Sequence, residues 1–284
     1  MRSEPFFTVE RYTVVEQSVS SAPTKARIIA IANQKGGVGK TTTAINLATA
    51  MAATKKRVLI IDLDPQGNAS TGLGIERGNR AVNSYHVLIG EAALSEALLT
   101  TTIPGLDLVP SGIDLSGAEI ELVEMPRRET RLSEALRGAA AEYDYVLIDC
   151  PPSLNLLTLN ALVAAHSVMV PLQCEFFALE GISHLVKTID MVKAAFNPGL
   201  ELQGIVLTMF DKRNNLSDMV AADVRGFFGD KVYKTVIPRN VRISEAPSHG
   251  KPVLLYDVKC AGAEAYIHLA SEVLKREREV RVRA

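Results

Sequence analysis

The chain has 284 residues, with 31 Lys and Arg residues against 32 Asp and Glu residues, so its formal net charge is −1. A chain with this balance is not basic overall, so any contact with nucleic acid has to use a local basic patch. Hydrophobic residues make up 47% of the chain and charged residues 22%, which excludes disorder along the whole length and is sufficient for a large core.

Residues 1–26 are predicted to form a flexible N-terminal tail, and residues 27–284 a single domain. The tail lacks the long apolar segment of a secretory signal, and its "SVSSAPTK" stretch is typical of a linker. The chain contains no run of about 18 apolar residues that could span a membrane. Its cysteines, Cys150, Cys174 and Cys260, are far apart and form no Cys-x-x-Cys pair. We therefore expect a cytoplasmic protein without a disulfide or metal framework.

From residue 27 onward, short apolar runs alternate with segments of helical periodicity. The runs are rich in Val, Ile and Leu without polar alternation, as expected for strands buried on both faces. The predicted strands are residues 28–32, 58–62, 106–109, 145–149, 168–172, 204–209 and 232–235, and the predicted helices are residues 40–53, 131–141, 156–165, 179–195, 216–228 and 262–278. This alternation predicts a single-domain α/β fold with a mostly parallel, twisted sheet and helices on both faces.

The first predicted strand runs into the glycine-rich loop "NQKGGVGKTT", which is followed by a helix. Gly36, Gly37 and Gly39 allow backbone N–H groups to turn inward and surround phosphate oxygens. The positive end of the following helix points at the same place. Lys40 is placed to neutralise the β- and γ-phosphates, and the Thr41 hydroxyl to ligate Mg²⁺. The loop therefore predicts a P-loop NTPase with ATP and Mg²⁺ as its ligands.

A dinucleotide-binding loop is the competing interpretation of these glycines. Such a loop requires Gly-x-Gly-x-x-Gly or Ala, and Thr42 stands at the position of the third glycine. Asp62 does lie about twenty residues further on, where a ribose-binding acid is expected. The Gly-Lys-Thr sequence still favours a triphosphate.

Carboxylates follow two further predicted strands. Asp62 and Asp64 stand two residues apart at the end of one strand, so both point to the same side if the strand is extended. One of them could hold Mg²⁺ through water and the other could orient the attacking water. An Asp-Pro turn with a helix cap is the alternative for Asp64 taken alone. Asp149 ends another apolar strand, at the position where an acid reaches Mg²⁺ through a water molecule.

A second lysine, Lys35, precedes the glycines and makes the sequence Lys-Gly-Gly-Val-Gly-Lys-Thr. This form resembles the deviant Walker loop of the ParA/MinD/nitrogenase-iron-protein group, in which the extra lysine reaches the nucleotide of a dimer partner. The resemblance implies that Lys35 is a cation supplied in trans, which counters charge on the transferring phosphoryl group. From the residues alone, Lys35 could equally be a solvated loop lysine.

The same resemblance implies roles for the other residues of these motifs. It gives Asp64 the water-positioning role, so that the catalytic residues are Lys35, Lys40 and Asp64. The magnesium site is then made by Thr41, Asp62 and Asp149. The nucleotide-binding residues of the loop are Lys35, Gly36, Gly37, Val38, Gly39, Lys40, Thr41 and Thr42.

Two segments of the C-terminal third, "LTMFDKRNNLS" and "VIPRNVRISEAPSHGKPV", are similar to the ParA/Soj chromosome-partitioning branch of this group. The resemblance covers nearly all of residues 27–274. It implies that Arg213 and Arg242 bind DNA. Residues 205–260 carry nine Lys and Arg against six acids, a local charge of 9 − 6 = +3. The resemblance also implies that Met209, Pro238, Arg239 and Asn240 lie around the adenine base.

The resemblance implies an ATPase that partitions chromosomes or plasmids. ATP binding would join two copies into a homodimer that binds double-stranded DNA without sequence preference, so that the protein associates with the nucleoid. Hydrolysis, stimulated by a ParB-like centromere-binding partner, would release the DNA. Pairing two basic patches in a dimer roughly doubles the number of phosphates contacted, which strengthens binding and steepens its salt dependence.

Two other functions stay open at this level. One is a MinD-like membrane-cycling regulator of cell division, but the C-terminal "ASEVLKREREVRVRA" has few large apolar residues. An interfacial helix needs a broad apolar face, so we expect no membrane contact. The other is an iron–sulfur carrier or reductase of the same superfamily, which would need paired cysteines at a dimer face and which the scattered cysteines therefore disfavour.

Overall fold

The computed structural model describes the backbone of residues 26–283 and the side chains up to residue 279. The predicted tail, residues 1–26, therefore lies outside the described residues except for Ala26, which is buried in the core.

A central sheet organises the described part of the chain, and its strands have the order β3-β4-β2-β5-β1-β6-β7-β8. The strands are β1 (Arg27–Ile31), β2 (Val58–Asp62), β3 (Leu99–Thr100), β4 (Leu106–Val109), β5 (Tyr145–Asp149), β6 (Ser167–Gln173), β7 (Glu201–Phe210) and β8 (Val232–Pro238). All neighbouring strands are parallel except β3 and β4, which are antiparallel at one edge. The predicted α/β fold with a mostly parallel sheet is thus confirmed.

Helices and short 3₁₀ turns connect the strands and cover both faces of the sheet. The helices are α1 (Lys40–Ala53), α2 (Asn68–Gly72), α3 (Ser84–Ile89), α4 (Leu115–Glu124), α5 (Arg131–Ala135), α6 (Leu156–Ala164), α7 (Ala178–Ala195), α8 (Asn215–Phe228), α9 (Val241–Glu245), α10 (Val253–Tyr256) and α11 (Ala261–Arg283).

Two hydrophobic cores lie on opposite faces of the sheet, and β1 contributes to both. Ile29 and Ile31 pack into the core formed with α1 and α11, whereas Ile28 and Ala30 pack into the core formed with α6, α7 and α8. Successive side chains of a strand point to opposite faces, so a strand covered on both sides must be apolar at every position. Each fully buried Ile contributes about 1.5–3 kcal/mol to folding.

One predicted helix is shorter than its sequence indicated. The segment 131–141 was expected to be helical throughout, but α5 ends at Ala135, and a 3₁₀ turn follows at Ala139–Glu142. Gly138 between them has a φ of 83°. This left-handed conformation cannot continue a right-handed helix and is accessible at little cost only to glycine.

The seven predicted strands are all present: three have the predicted bounds, and the ends of the other four differ by at most three residues. The structure adds the two-residue edge strand β3 and the helices α2, α3, α4, α9 and α10. Apart from α4, these helices are four to six residues long. Such segments are too short to show a helical period in the sequence.

The sheet topology brings the predicted functional segments together. β1 lies between β5 and β6. The strands β2 to β5 are added on one side of β1, and the chain then crosses to the other side to form β6, β7 and β8. Ligands of open parallel sheets bind beyond the carboxyl ends of the strands at such a point. The last residue of β1, Ile31, lies in register with Asp149, and Asp149 lies in register with Asp62.

Candidate nucleotide-binding site

The loop between β1 and α1 has the geometry of an anion-binding loop. Gly37 and Gly39 have φ values of 75° and 90°, in the left-handed region that favours glycine. Gly39 is the N-cap residue of the fourteen-residue α1, and no side chain of the described residues caps the helix there. The first backbone N–H groups of α1 therefore point out of the helix towards the loop, where an anion would be stabilised.

Lys40 is the first residue of α1 and is buried. Its Nζ donates a hydrogen bond to the Lys35 carbonyl oxygen over 3.0 Å, which folds the side chain back over the loop. Burial lowers the pKa of Lys40, while the nearby Asp149 and Asp64 carboxylates act in the opposite direction. Nearby carboxylates thus offset part of the cost of burying the ammonium group at the loop.

Asp149 is fully buried at the end of β5. Burial and the neighbouring Asp62 raise the pKa of its carboxyl group well above the ordinary value. No described residue donates a hydrogen bond of good geometry to either of its carboxylate oxygens, although a looser interaction with the Thr41 hydroxyl lowers the pKa of Asp149. Buried acceptors of this kind are rarely left without a partner. The pair Asp149 and Thr41 therefore fits a hydrated Mg²⁺, which takes oxygen ligands and keeps several of its waters.

Asp62 lies beside Asp149 but has protein partners for both oxygens. Its Oδ1 accepts the Asp64 N–H at 3.2 Å, and its Oδ2 accepts the Ser70 N–H at 2.9 Å and the Ser70 hydroxyl at 2.7 Å. Burial raises the pKa of Asp62 to about 6, although these hydrogen bonds lower it. Asp62 thus holds the start of α2 in place, and its role as a magnesium ligand stays a prediction.

Asp64 lies in the loop between β2 and α2. Its Oδ1 accepts the Gln66 N–H at 3.0 Å and its carbonyl oxygen accepts the Gly67 N–H at 2.8 Å, which closes a tight turn. The alternative interpretation of Asp64, an Asp-Pro turn with a helix cap, is thus correct for the turn but wrong for the cap, because the N-cap residue of α2 is Gly67. A carboxylate held in a turn beside the phosphate loop is suitably placed to orient a water molecule.

A cleft of 460 Å³ opens beside the loop. Eight of the predicted site residues line it: Gly36, Gly37, Gly39, Lys40, Thr41, Thr42, Asp64 and Met209. The opposite wall was not predicted from the sequence, and it consists of Ile243, Ala246, Pro247, Lys251, Pro252 and Val253. The Asn46 side chain of α1 accepts the Val253 N–H at 2.8 Å and so ties this wall to the helix that follows the loop.

The remaining predicted nucleotide contacts lie outside this lining. Val38 is buried, and its carbonyl oxygen accepts the Thr208 hydroxyl at 2.8 Å. Asn240 is the N-cap residue of α9 and accepts the Arg242 N–H at 2.9 Å. Pro238 and Arg239 line a separate open cleft at the ends of β7 and β8. Contact of Pro238, Arg239 and Asn240 with adenine stays a prediction.

Lys35 stands at the outer side of the loop with its side chain half exposed. Its backbone N–H donates to the Asn33 side chain at 3.0 Å, and the Asn33 amide donates to the Pro171 carbonyl oxygen of β6 at 2.8 Å. Its ammonium group forms an ion pair with Glu175, just beyond β6. Lys35, which is predicted to act on the nucleotide of a second copy, thus has an ion-pair partner within its own copy of the chain.

The two arginines predicted to bind DNA are accessible, but each is paired with acids. Arg213 forms an ion pair with Asp211 at 2.8 Å, which lowers the pKa of Asp211. Arg242 is paired with Glu245 at 2.8 Å and with Asp257 at 3.5 Å. The side chains of Arg213 and Arg242 are 86% and 48% exposed. Their role in DNA binding stays a prediction.

This arrangement of phosphate loop, buried cation and carboxylates on a parallel sheet defines a P-loop nucleotide-binding protein. A family model described as "AAA domain" matches residues 26–202. The chain is 63% identical over 260 residues to the chromosome partitioning protein ParA of Caulobacter vibrioides. This alignment covers 91% of this chain and 97% of that protein. It belongs to the ParA/Soj family of chromosome-partitioning ATPases.

One further relative supports this assignment, and one solved structure supports the fold. Over 247 residues the chain is 54% identical to the sporulation initiation inhibitor protein Soj of Bacillus subtilis, which covers 87% of this chain and 98% of that protein. The cobyrinic acid a,c-diamide synthase of Mycobacterium smegmatis, solved with a bound ATP analogue and magnesium, has a similar fold with a TM-score of 0.79 and 40% identity. That alignment covers 89% of this chain and 96% of the solved one.

Proposed function

We propose that the chain hydrolyses ATP to ADP and phosphate with Mg²⁺. The observation that carries this proposal is Asp149, a buried carboxyl group beside Thr41 and Lys40 whose two oxygens receive no hydrogen bond of good geometry from the described residues. Mg²⁺, held by the Thr41 hydroxyl and through water by Asp149, supplies charge neutralisation of the phosphates. The presence of an ATP analogue and magnesium in a solved structure 40% identical to this chain supports the choice of ligand.

The chain's own residues divide the remaining work. The loop N–H groups and Lys40 bind and orient the phosphates, and this positioning provides much of the catalysis in phosphoryl transfer. Asp64, fixed in its turn, orients the attacking water in line with the γ-phosphate. Lys35 of a second copy stabilises the charge that develops on the transferring group.

ATP therefore joins two copies of the chain. Lys35 can reach the nucleotide of a second copy only after it leaves Glu175. The Lys35 and Glu175 side chains are 50% and 30% exposed, so this ion pair opens readily. Exposed ion pairs contribute about 0–1 kcal/mol. The homodimer then forms when the attraction between Lys35 and a triphosphate exceeds this small internal attraction.

The dimer binds double-stranded DNA without sequence preference through Arg213 and Arg242 of both copies. Each arginine exchanges its carboxylate partner for a DNA phosphate, so affinity falls with salt concentration and rises when two patches act together. A ParB-like partner stimulates hydrolysis and releases the DNA. The cargo is a chromosome or a plasmid, and the protein acts in the cytoplasm at the nucleoid. The names of the relatives from Caulobacter vibrioides and Bacillus subtilis support this function.

The two alternatives from the sequence have less support. The partitioning relatives favour DNA binding over a membrane cycle. As a separate finding, none of the helices among residues 26–283 has the length and apolarity required to cross a bilayer. The same relatives favour partitioning over an iron–sulfur carrier.

The test is duplex DNA binding by the whole chain, measured with ATP, with ADP and without nucleotide, each with Mg²⁺. We expect tight binding only with ATP, and loss of that binding in Lys40→Ala. Equal binding in all three states would contradict the proposal. In parallel, co-sedimentation with anionic lipid vesicles in the presence of ATP tests the membrane alternative, which requires lipid binding instead.

A further inference from the structure

Arg80 is a buried arginine in a segment to which the sequence assigned no function. It directly follows the 3₁₀ turn Arg77–Asn79, and 6% of its surface is exposed. Burial lowers the pKa of Arg80, and Asp62 acts in the opposite direction. Arginine is rarely this buried unless it is paired. Among the described residues, however, no carboxylate forms an ion pair with Arg80.

The guanidinium group of Arg80 is instead held by uncharged acceptors. Its Nη1 donates to the carbonyl oxygens of Gly67 and Ser111, both at 3.3 Å. Its Nη2 donates to the Thr71 hydroxyl at 2.9 Å and to the Ile75 carbonyl oxygen at 2.5 Å. These acceptors belong to the turn before α2, to α2 itself, to the segment after it, and to the loop after β4. One rigid, planar group thus connects several separate backbone segments.

The segment that Arg80 holds carries the proposed water-positioning carboxylate. Gly67 accepts from Arg80 through its carbonyl oxygen and donates through its N–H to the Asp64 carbonyl oxygen at 2.8 Å. Thr71, the other α2 contact, lines the nucleotide cleft together with Asp64. The Thr71 hydroxyl also donates to the Gly67 carbonyl oxygen at 3.0 Å. A displacement of Arg80 would therefore reach Asp64 through a single residue, Gly67.

Asp62 and Ser70 connect the same segments from the opposite side. The Ser70 hydroxyl donates to Asp62 and accepts the Ser111 N–H at 3.0 Å, while the Ser111 carbonyl oxygen accepts from Arg80. A buried cation and a buried carboxylate thus face each other across two serines, and their charges favour one another. The turn at residues 64–67 is fixed between the two groups.

We propose that Arg80 is a positioning residue for ATP hydrolysis, which holds the Asp64 turn in the geometry required to orient the attacking water. This inference rests on the proposed ATPase function. Arg80 itself does not line the nucleotide cleft, so its loss alters the placement of Asp64 and leaves the phosphate loop intact. Misplacement of a catalytic group by about 1 Å can lower the rate about 100-fold.

The test compares the full-length wild type with two variants. Arg80→Gln removes the charge, and Arg80→Lys keeps the charge but replaces the planar guanidinium group with a single ammonium group. The matched control is Arg77→Gln, an exposed arginine on the same turn. We expect both Arg80 variants to bind ATP with a dissociation constant within about 3-fold of wild type. Their kcat should fall between about 10- and 100-fold, with faster hydrogen exchange at the amides of residues 64–71. Arg77→Gln should match wild type.

Gly67→Ala perturbs the same contact from the other side, because a methyl group there would lie 2.5 Å from Arg80 Nη1 while φ is +62°. It should reproduce the loss of kcat, and this keeps the test decisive if Arg80→Gln does not fold. Wild-type kcat in Arg80→Lys and Gly67→Ala, or equal losses of kcat and ATP affinity, would overturn the inference. An inactive wild type would instead refute the proposed ATPase function.

Discussion

Glu175→Gln is expected to strengthen ATP-dependent dimerisation, because it removes the internal partner of Lys35. The Lys35 and Glu175 side chains are 50% and 30% exposed, and an ion pair this accessible contributes at most about 1 kcal/mol. One kcal/mol corresponds to a factor of about 5 in an equilibrium constant, and each dimer requires two lysines to be released. The dimer dissociation constant should therefore fall by up to about 30-fold.

The assay is sedimentation equilibrium with a non-hydrolysable ATP analogue and Mg²⁺, over a range of protein concentrations. The matched control is Glu180→Gln, an exposed acid in the first turn of the helix that follows Glu175. The advantage of Glu175→Gln should shrink in high salt, because salt screens exposed charges. A dissociation constant that is unchanged, or that rises, in Glu175→Gln would refute the reasoning, since Glu175 would then not compete for Lys35.

Three further predictions concern the phosphate loop, the buried carboxylates and the basic patch. Lys40→Ala should lose ATP binding in a fluorescent-nucleotide titration, whereas the exposed Lys187→Ala should retain it; tight binding by the former would refute the loop assignment. Burial raises the pKa of Asp149, so the folded state gains stability from holding this proton at low pH and loses it as the pH rises through the raised pKa. The melting temperature of the nucleotide-free protein should thus fall as the pH rises above about 4, the ordinary pKa of an Asp side chain, and Asp149→Asn should flatten this fall while weakening the Mg²⁺ dependence of nucleotide binding; an identical pH profile would contradict the assignment. Asp211→Asn frees Arg213 and should raise the affinity of the ATP-bound protein for duplex DNA several-fold, with a steeper salt dependence in a filter-binding assay; lower affinity would show that Arg213 needs Asp211 to hold its position.

The sequence alone was sufficient to predict the elements that have a strong local pattern. The strands buried on both faces were recognised because a short, uninterrupted run of Val, Ile and Leu is typical of the interior of a parallel sheet. The loop from Gly36 to Thr41 was recognised because its residue types and spacing are required by phosphate binding. Asp64 and Asp149 were found because polar residues directly after buried strands lie at the ligand-binding edge of the sheet.

The features that the sequence did not reveal depend on contacts between distant segments. Glu175 lies 140 positions from Lys35, although its place after β6 at the same sheet edge is a signal that could have found it. The far wall of the cleft, at residues 243–253, has no periodicity and is defined by contacts such as that of Asn46 with Val253. Arg80 resembled any surface arginine in the sequence, because its burial results from the loop after β4 folding over it.

The central claim is that ATP joins two copies of the chain through Lys35, and the molar mass in solution tests it most directly. Wild type and Lys35→Ala should be measured by sedimentation with a non-hydrolysable ATP analogue and Mg²⁺, at equal nucleotide occupancy. We predict twice the chain mass of 30.7 kDa for wild type and 30.7 kDa for Lys35→Ala. A wild type that stays at 30.7 kDa, or a Lys35→Ala variant that dimerises as tightly as wild type, would contradict the claim.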